Sequence, residues 1–285
     1  ALARRLGDRN TQMHHGVWRK SAIGSHEVRG RTLGIVGYGN IGAQISVLAE
    51  ALGLSVMYYD VADKLPMGNA HRCDSLEELL QSVDVVTVHV DGRADNTLLF
   101  GEQEFSMMRP RSLFLNLSRG HVVDVAALAD NLRTGHLAGA AVDVYPSEPR
   151  SGDEPFVSEL QSLDNVILTP HVGGSTQEAQ IDIGRYVAGK LIDYSERAST
   201  SMSVNLPDIT TGATPGARIG HLHLNMPGIM ADLNRLVADH GGNVTYQALA
   251  TRGELGYTVL DIDETDRELL VDVTRLEGTI RARVL

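Results

Sequence analysis

"LGIVGYGNIG" (Leu33–Gly42) decides the fold. Strand-forming residues from Leu33 to Val36 run into G-x-G-x-x-G, and an amphipathic stretch opens near Ile41. A glycine triplet alone is a weak signal. Between a strand and a helix it reads as the turn that cradles a dinucleotide pyrophosphate. The first glycine permits the tight turn, the second lets the backbone approach the phosphates, and the third lets helix and strand pack closely. The helix N-terminus then presents free N–H groups to the anion. Asp60 ends the next expected strand, "VMYYD", about 20 residues on, where a carboxylate can accept from both adenosine ribose hydroxyls. It would repel a 2′-phosphate and no arginine follows it directly, so NAD is expected over NADP.

Working outward, short apolar runs alternate with amphipathic stretches. Strands are expected at Leu33–Val36, Val56–Tyr59, Val83–Val90, Leu113–Leu117, Ala138–Val144 and Val166–Thr169, with helices opening near Ile41, Ser75, Gly101 and Asp124. Alternation of this kind predicts βαβ units and a mostly parallel, doubly wound sheet of the Rossmann type. The continuous apolar run "DVVTVHV" suits a strand covered on both faces. A long helix is expected from Ser175 to about Glu196, then a Pro/Gly/Thr-rich linker, "NLPDITTGATPGA" (Asn205–Ala217). The tail reads strand, helix, strand, strand, helix (from Thr265), strand, the βαββαβ order of a ferredoxin-like domain. The predicted division is residues 1–173, a nucleotide-binding domain, 174–215, a remnant of a second domain with its linker, and 216–285, the α/β tail.

Bulk properties narrow the function. A net charge of −11 argues against nucleic acid or an anionic membrane as partner. Cys73 is the one cysteine, which excludes an intrachain disulfide and fits a reducing cytoplasm. No apolar run is long enough for a membrane helix. The opening "ALARRLGDRN" is charged, without the apolar core of a secretory leader, and starts without a cap signal, so the chain is expected to be a fragment.

Three polar residues end three consecutive strands. "LNLSRG" delivers Arg119, "DVYPSEP" delivers Glu148 between two prolines, and "TPHVGGST" delivers His171 after Pro170. Ligands of open α/β sheets bind at the carboxyl ends of strands. There a guanidinium can grip a carboxylate through two parallel bonds, an imidazole can move a proton, and a carboxylate can fix the tautomer of that imidazole. Singly, each reads as readily as a surface Arg, a solvated loop acid or a structural His; together they make a reaction site facing a dinucleotide. Gly120 is read as leaving room for a ligand. In "HLHLNMPG" (His221–Gly228), two His at i and i+2 face one side of a strand. No Cys or acid completes a metal site, so no metal is expected. Asn225 also reads as a helix cap before Pro-Gly.

"GYGNIG", "NLSRG", "DVYPSEP" and "TPHVGGST", in this order and spacing, resemble the signature motifs of the D-isomer-specific 2-hydroxyacid dehydrogenases, and the tail resembles a serine-binding ACT domain. The resemblance implies that Arg119 binds the substrate carboxylate, His171 exchanges the proton of the hydroxyl or carbonyl oxygen, and Glu148 pairs with His171. It places Gly37, Gly39, Asn40, Ile41, Gly42, Asp60 and Asp143 with the NAD cofactor, and His223, Asn225 and Asn243 in an L-serine effector site at a domain–domain contact. It implies a homo-oligomer acting on a small 2-hydroxy acid: NAD-dependent oxidation of 3-phosphoglycerate to 3-phosphohydroxypyruvate at the start of L-serine biosynthesis, with serine feedback and a side reduction of 2-oxoglutarate. Glyoxylate or hydroxypyruvate reduction is the alternative within the family; a non-catalytic nucleotide- and serine-binding role is the alternative outside it. Relatives carry a further N-terminal stretch expected to hold the basic residues that grip a substrate phosphate. "HVDG" (His89–Gly92) departs from the family, which usually has proline where Asp91 stands.

Overall fold

The computed structural model describes residues 1–214, 216–263 and 267–285. Pro215 of the expected linker and the expected helix start at Thr265 lie outside the described residues. The chain divides into two compact units, Ala1–Thr176 and Gln177–Leu285.

The first unit is built on seven strands: β1 (Thr32–Val36), β2 (Ser55–Tyr59), β3 (His71–Arg72), β4 (Val85–Val88), β5 (Ser112–Asn116), β6 (Leu137–Val142) and β7 (Val166–Leu168). All pair in parallel, in the order β3-β2-β1-β4-β5-β6-β7. The chain reverses its progress across the sheet between β1 and β4, the switch point at which such sheets bind ligands. Helices α1 (Leu6–His14), α2 (Asn40–Ala51), α3 (Leu76–Ser82), α4 (Glu102–Met107) and α5 (Val125–Arg133) complete the unit.

Strand alternation sends apolar side chains into two cores. Val86, Val88 and Phe114 join Leu79, Phe105 and Leu128 from α3, α4 and α5 on one side, while Leu33, Ile35, Val56 and Val85 join Ala49 of α2 on the other. All four residues of β4 are buried, as expected of a strand covered on both faces. Ser75 caps α3, its hydroxyl accepting from the Glu78 amide at 3.1 Å. β3 is new relative to the sequence reading: two exposed residues at the sheet edge carry no apolar run to announce them.

The second unit begins with α6 (Gln177–Arg197), followed by β8 (Ala217–Leu224), α7 (Ile229–Asp239), β9 (Val244–Arg252), β10 (Leu255–Ile262), α8 (Arg267–Arg275) and β11 (Thr279–Val284). The four strands form an antiparallel sheet in the order β11-β8-β10-β9, as expected of the ferredoxin-like pattern. Ile219, Leu260 and Ile262 pack beneath Leu233 of α7 and Leu269 of α8. On the other face Tyr257 and Val259 pack with Ala198 and Ile209. There the buried Arg218 grips Asp261 through two bonds of 2.6 and 2.7 Å and donates to the carbonyls of Arg197 and Gly212.

Candidate active site

The glycine turn follows β1 and opens α2. Gly37 takes φ 92°, and a Cβ there would lie 2.7 Å from the His89 carbonyl oxygen, so only glycine lets the turn pass the end of β4. A Cβ on Gly42 would lie 2.3 Å from the Gly37 carbonyl oxygen, the close helix–strand packing expected of the third glycine. Gly39 differs: nothing lies within 4 Å of its would-be Cβ. It is the N-cap residue of α2, no side chain caps the helix, and no acid sits in its first turn. Open space over a glycine and uncapped amides, including those of Asn40 and Ile41, fit a pyrophosphate. After β2, Asp60 accepts from the Tyr38 amide at 2.7 Å and the Ala62 amide at 2.8 Å. Each carboxylate oxygen keeps further acceptor capacity.

At the carboxyl ends of β5, β6 and β7 stand Arg119, Glu148 and His171. Glu148 accepts from His171 Nδ1 at 2.9 Å through Oε2, and from the Tyr145 amide at 3.0 Å through Oε1. Burial presses the Glu148 pKa upward, but the hydrogen bonds from His171 and Tyr145 outweigh it and hold the carboxyl below its ordinary value. His171 adopts φ 54°, a left-handed conformation uncommon for a non-glycine residue. Asp143 holds its loop there: Oδ1 accepts from the Thr169 hydroxyl at 2.5 Å and the Val172 amide at 2.9 Å, and Oδ2 from the Gly173 amide at 2.9 Å. Burial is the largest influence on Asp143 and acts upward, yet these bonds together lower its pKa.

Arg119 reaches the same edge differently. Its side chain is exposed and one donor goes to the neighbouring Ser118 carbonyl at 2.7 Å. Gly120 beside it does not make room for a ligand. A Cβ there would fall 2.0 Å from the carbonyl carbon and oxygen of Tyr145, so the glycine lets the Arg119 turn press against the loop that carries Glu148. Neighbouring strands lie about 4.8 Å apart, which puts the elements bearing Arg119 and His171 about 10 Å apart, a span suited to a small hydroxy acid. The parts played by Thr169 and Tyr145 went unread in the sequence. Both lie inside the quoted motifs, but linear order does not pair Thr169 with Asp143 or the Tyr145 amide with Glu148.

In the second unit, His221 and His223 share the helix-covered side of β8, with ring centroids 4.9 Å apart. Both are fully buried. His223 is engaged by the Leu224 carbonyl at 2.8 Å and the Thr258 hydroxyl at 3.0 Å, and its ring lies so close over Gly256 that a Cβ there would meet it at 2.2 Å. Burial, with His223 alongside, pushes the His221 pKa down to about 4. Asn225 does not cap α7; Gly228, at φ 93°, takes the N-cap position, and the Asn225 side chain donates through Nδ2 to the Gly253 carbonyl at 3.3 Å. Asn225 and Asn243 are exposed at opposite ends of β10, beside Leu255 and Ile262 respectively. At the usual rise these ends are about 23 Å apart, so one copy of the sheet does not bring them together. Among the described residues no group of acidic, His or Cys side chains could hold a metal ion, and no helix is long and apolar enough to cross a membrane.

Both parts of the chain match known domain families. Residues 1–173 match the family model of the D-isomer specific 2-hydroxyacid dehydrogenase NAD binding domain, and residues 219–281 match that of the AHAS small subunit-like ACT domain. The D-3-phosphoglycerate dehydrogenase of Escherichia coli K12 is 47% identical over the whole chain, which spans 70% of that relative. One from Saccharomyces cerevisiae is 40% identical over the whole chain and 63% of its own length. Among solved structures, D-2-hydroxyisocaproate dehydrogenase aligns with a TM-score of 0.63 at 28% identity, over 70% of this chain and 64% of that one. The Aquifex aeolicus D-lactate dehydrogenase complexed with NAD and lactic acid aligns with a TM-score of 0.60 at 25% identity, over 68% of this chain and 62% of that one.

Proposed function

The chain belongs to the D-isomer specific 2-hydroxyacid dehydrogenase family, and on that premise we propose that it oxidises 3-phosphoglycerate to 3-phosphohydroxypyruvate with NAD, at the start of L-serine biosynthesis in the cytoplasm. The observation that carries the chemistry is the Glu148–His171 pair, 2.9 Å apart at the carboxyl edge of the sheet that also bears the glycine turn. The relatives' names and the matched ACT domain favour this substrate over glyoxylate or hydroxypyruvate.

The Gly37–Gly42 turn, the α2 amides, Asp60 and Asp143 would hold NAD, which when bound supplies the hydride acceptor. Arg119 binds the substrate carboxylate through its planar fork and orients C2. Because Glu148 engages Nδ1, Nε2 of His171 is the atom that takes the hydroxyl proton during oxidation and returns it to the carbonyl oxygen during reduction. The Glu148 carboxylate favours the imidazolium so formed.

His223, Asn225 and Asn243 are proposed as the L-serine site. The separation of the two asparagines along β10 supports a site completed by a second copy of the chain, and so a homo-oligomer. NADH oxidation with 3-phosphohydroxypyruvate, glyoxylate and 2-oxoglutarate, with and without L-serine, tests the reading. Preference for the phosphorylated oxo acid and inhibition by serine are expected. Preference for glyoxylate without a serine effect would transfer the chain to another branch of the family.

A further inference from the structure

The loop after β4 carries Asp91, and its geometry gives that residue work. We propose that Asp91 is a positioning residue for Arg119: it stiffens the loop that lays Gly92 along the Arg119 side chain, and so keeps the guanidinium aimed at the substrate carboxylate. This rests on the dehydrogenase reading above.

Asp91 Oδ1 accepts from Arg93 Nε at 2.9 Å, Asn96 Nδ2 at 2.9 Å and the Arg93 amide at 3.3 Å, and Asn96 Nδ2 also reaches the Asp91 carbonyl at 3.0 Å. One carboxylate thus gathers residues 91–96 into a turn. The Arg93 hydrogen bond, the largest influence, lowers the Asp91 pKa. A Cβ on Gly92 would sit 3.6 Å from both Cγ and Nε of Arg119 and 3.5 Å from Cε1 of His121, so this residue lies against the side chains of the Arg119 turn. The far end of the loop is tied to the same turn. Leu98 donates to the His121 carbonyl at 2.9 Å and Phe100 to the Val122 carbonyl at 3.0 Å, and a bridge joins Phe100 to Val123. Between these ties, Asp91 supplies side-chain bonds that add to the backbone ones, from the Asn96 amide to the Arg93 carbonyl and from the Thr97 amide to the Ala94 carbonyl, both at 3.0 Å.

Asp91 and Arg93 are 58% and 66% exposed, so their pairing adds little to stability. A positional role accounts for the convergence of donors on Oδ1 better than a stabilising one. Asp91 also occupies Arg93, which would otherwise offer a second guanidinium one residue from Gly92.

The test compares wild type, Asp91→Ala and Asp91→Asn on the longest natural form of the chain, by steady-state reduction of 3-phosphohydroxypyruvate and by NADH fluorescence titration. Asp91→Ala is expected to raise KM for the oxo acid about tenfold with kcat and NADH affinity within about twofold, the pattern of lost ground-state binding. Asp91→Asn keeps an acceptor at Oδ1 and should restore most of the loss. An unchanged KM in Asp91→Ala overturns the proposal. Equal loss in both variants also overturns it, by assigning the effect to charge alone, and so does a parallel loss of NADH affinity, which would mark a general structural defect. A wild type that binds NADH but reduces no 2-oxo acid sinks the dehydrogenase reading itself, and the proposal with it.

Discussion

Gly120→Ala should damage the site without touching any residue that meets substrate or cofactor. The new methyl would lie 2.0 Å from the Tyr145 carbonyl carbon and oxygen and 2.6 Å from the Pro146 nitrogen, where 3.4 Å begins ordinary contact. These are backbone atoms and cannot rotate aside. Tyr145 is also tethered, its hydroxyl bonding the Val142 and Thr169 carbonyls at 3.0 Å each and its amide bonding Glu148. Relief requires the Arg119 turn to part from the Glu148 loop. Overpacking of this kind costs about 1–3 kcal/mol, which lowers Tm by about 5 °C for a chain of this size. A displacement of about 1 Å between Arg119 and the Glu148–His171 pair costs about 100-fold in kcat/KM. NADH affinity should hold, because the glycine turn sits on β1. Thermal melting, NADH titration and turnover measured together decide the matter. A variant that melts and turns over like wild type would refute the claim that Gly120 packs two halves of the site together.

Gly39→Ala is the opposite case: with nothing within 4 Å of the new methyl, Tm should stay put while NADH affinity falls at least about tenfold, by intrusion on the phosphate space; retained affinity would remove Gly39 from the cofactor site. Glu148→Gln keeps the shape and removes the charge beside the imidazolium. Glu148 and His171 are 37% and 51% exposed, so solvent screens the pair, and a loss of about 2 kcal/mol, or about thirtyfold in kcat, is expected in steady-state assays. Asp143 has a lowered folded-state pKa, so the fold favours its ionised form. Its contribution to stability is full above about pH 5 and is lost as pH falls through the folded pKa, so Asp143→Asn should flatten the acid side of a Tm–pH curve. At the proposed effector site, L-serine is expected to protect the wild type against heat and Asn225→Ala to abolish that protection; protection that persists in the variant would move the effector site elsewhere.

The fold was legible where periodicity and punctuation agree. β1, the glycine turn and α2 follow from ten residues, and the βαββαβ order of the tail from its apolar runs. β3 was not, because an edge strand of two exposed residues has no pattern to show. Arg119, Glu148 and His171 could be picked out because each ends a strand of the same parallel sheet. What holds them was hidden, since it depends on contacts between segments: the Thr169 hydroxyl on Asp143, 26 residues away, and the Tyr145 carbonyl against Gly120. Gly120 shows the limit clearly. A glycine beside a ligand-binding arginine reads as space for the ligand, and only the fold shows that backbone fills that space. The pair Arg218–Asp261, 43 residues apart, left no local signal either.

On the proposed function, the carboxyl edge of the parallel sheet holds a cofactor turn and a separate proton-transfer group. Titration of His171→Ala with NADH, together with its turnover of 3-phosphohydroxypyruvate in the same preparation, separates the two. Turnover reduced by about 100-fold or more with NADH affinity near wild type is the predicted result, in keeping with loss of a general acid–base group. Equal loss of both would make His171 a structural residue and remove it from proton transfer.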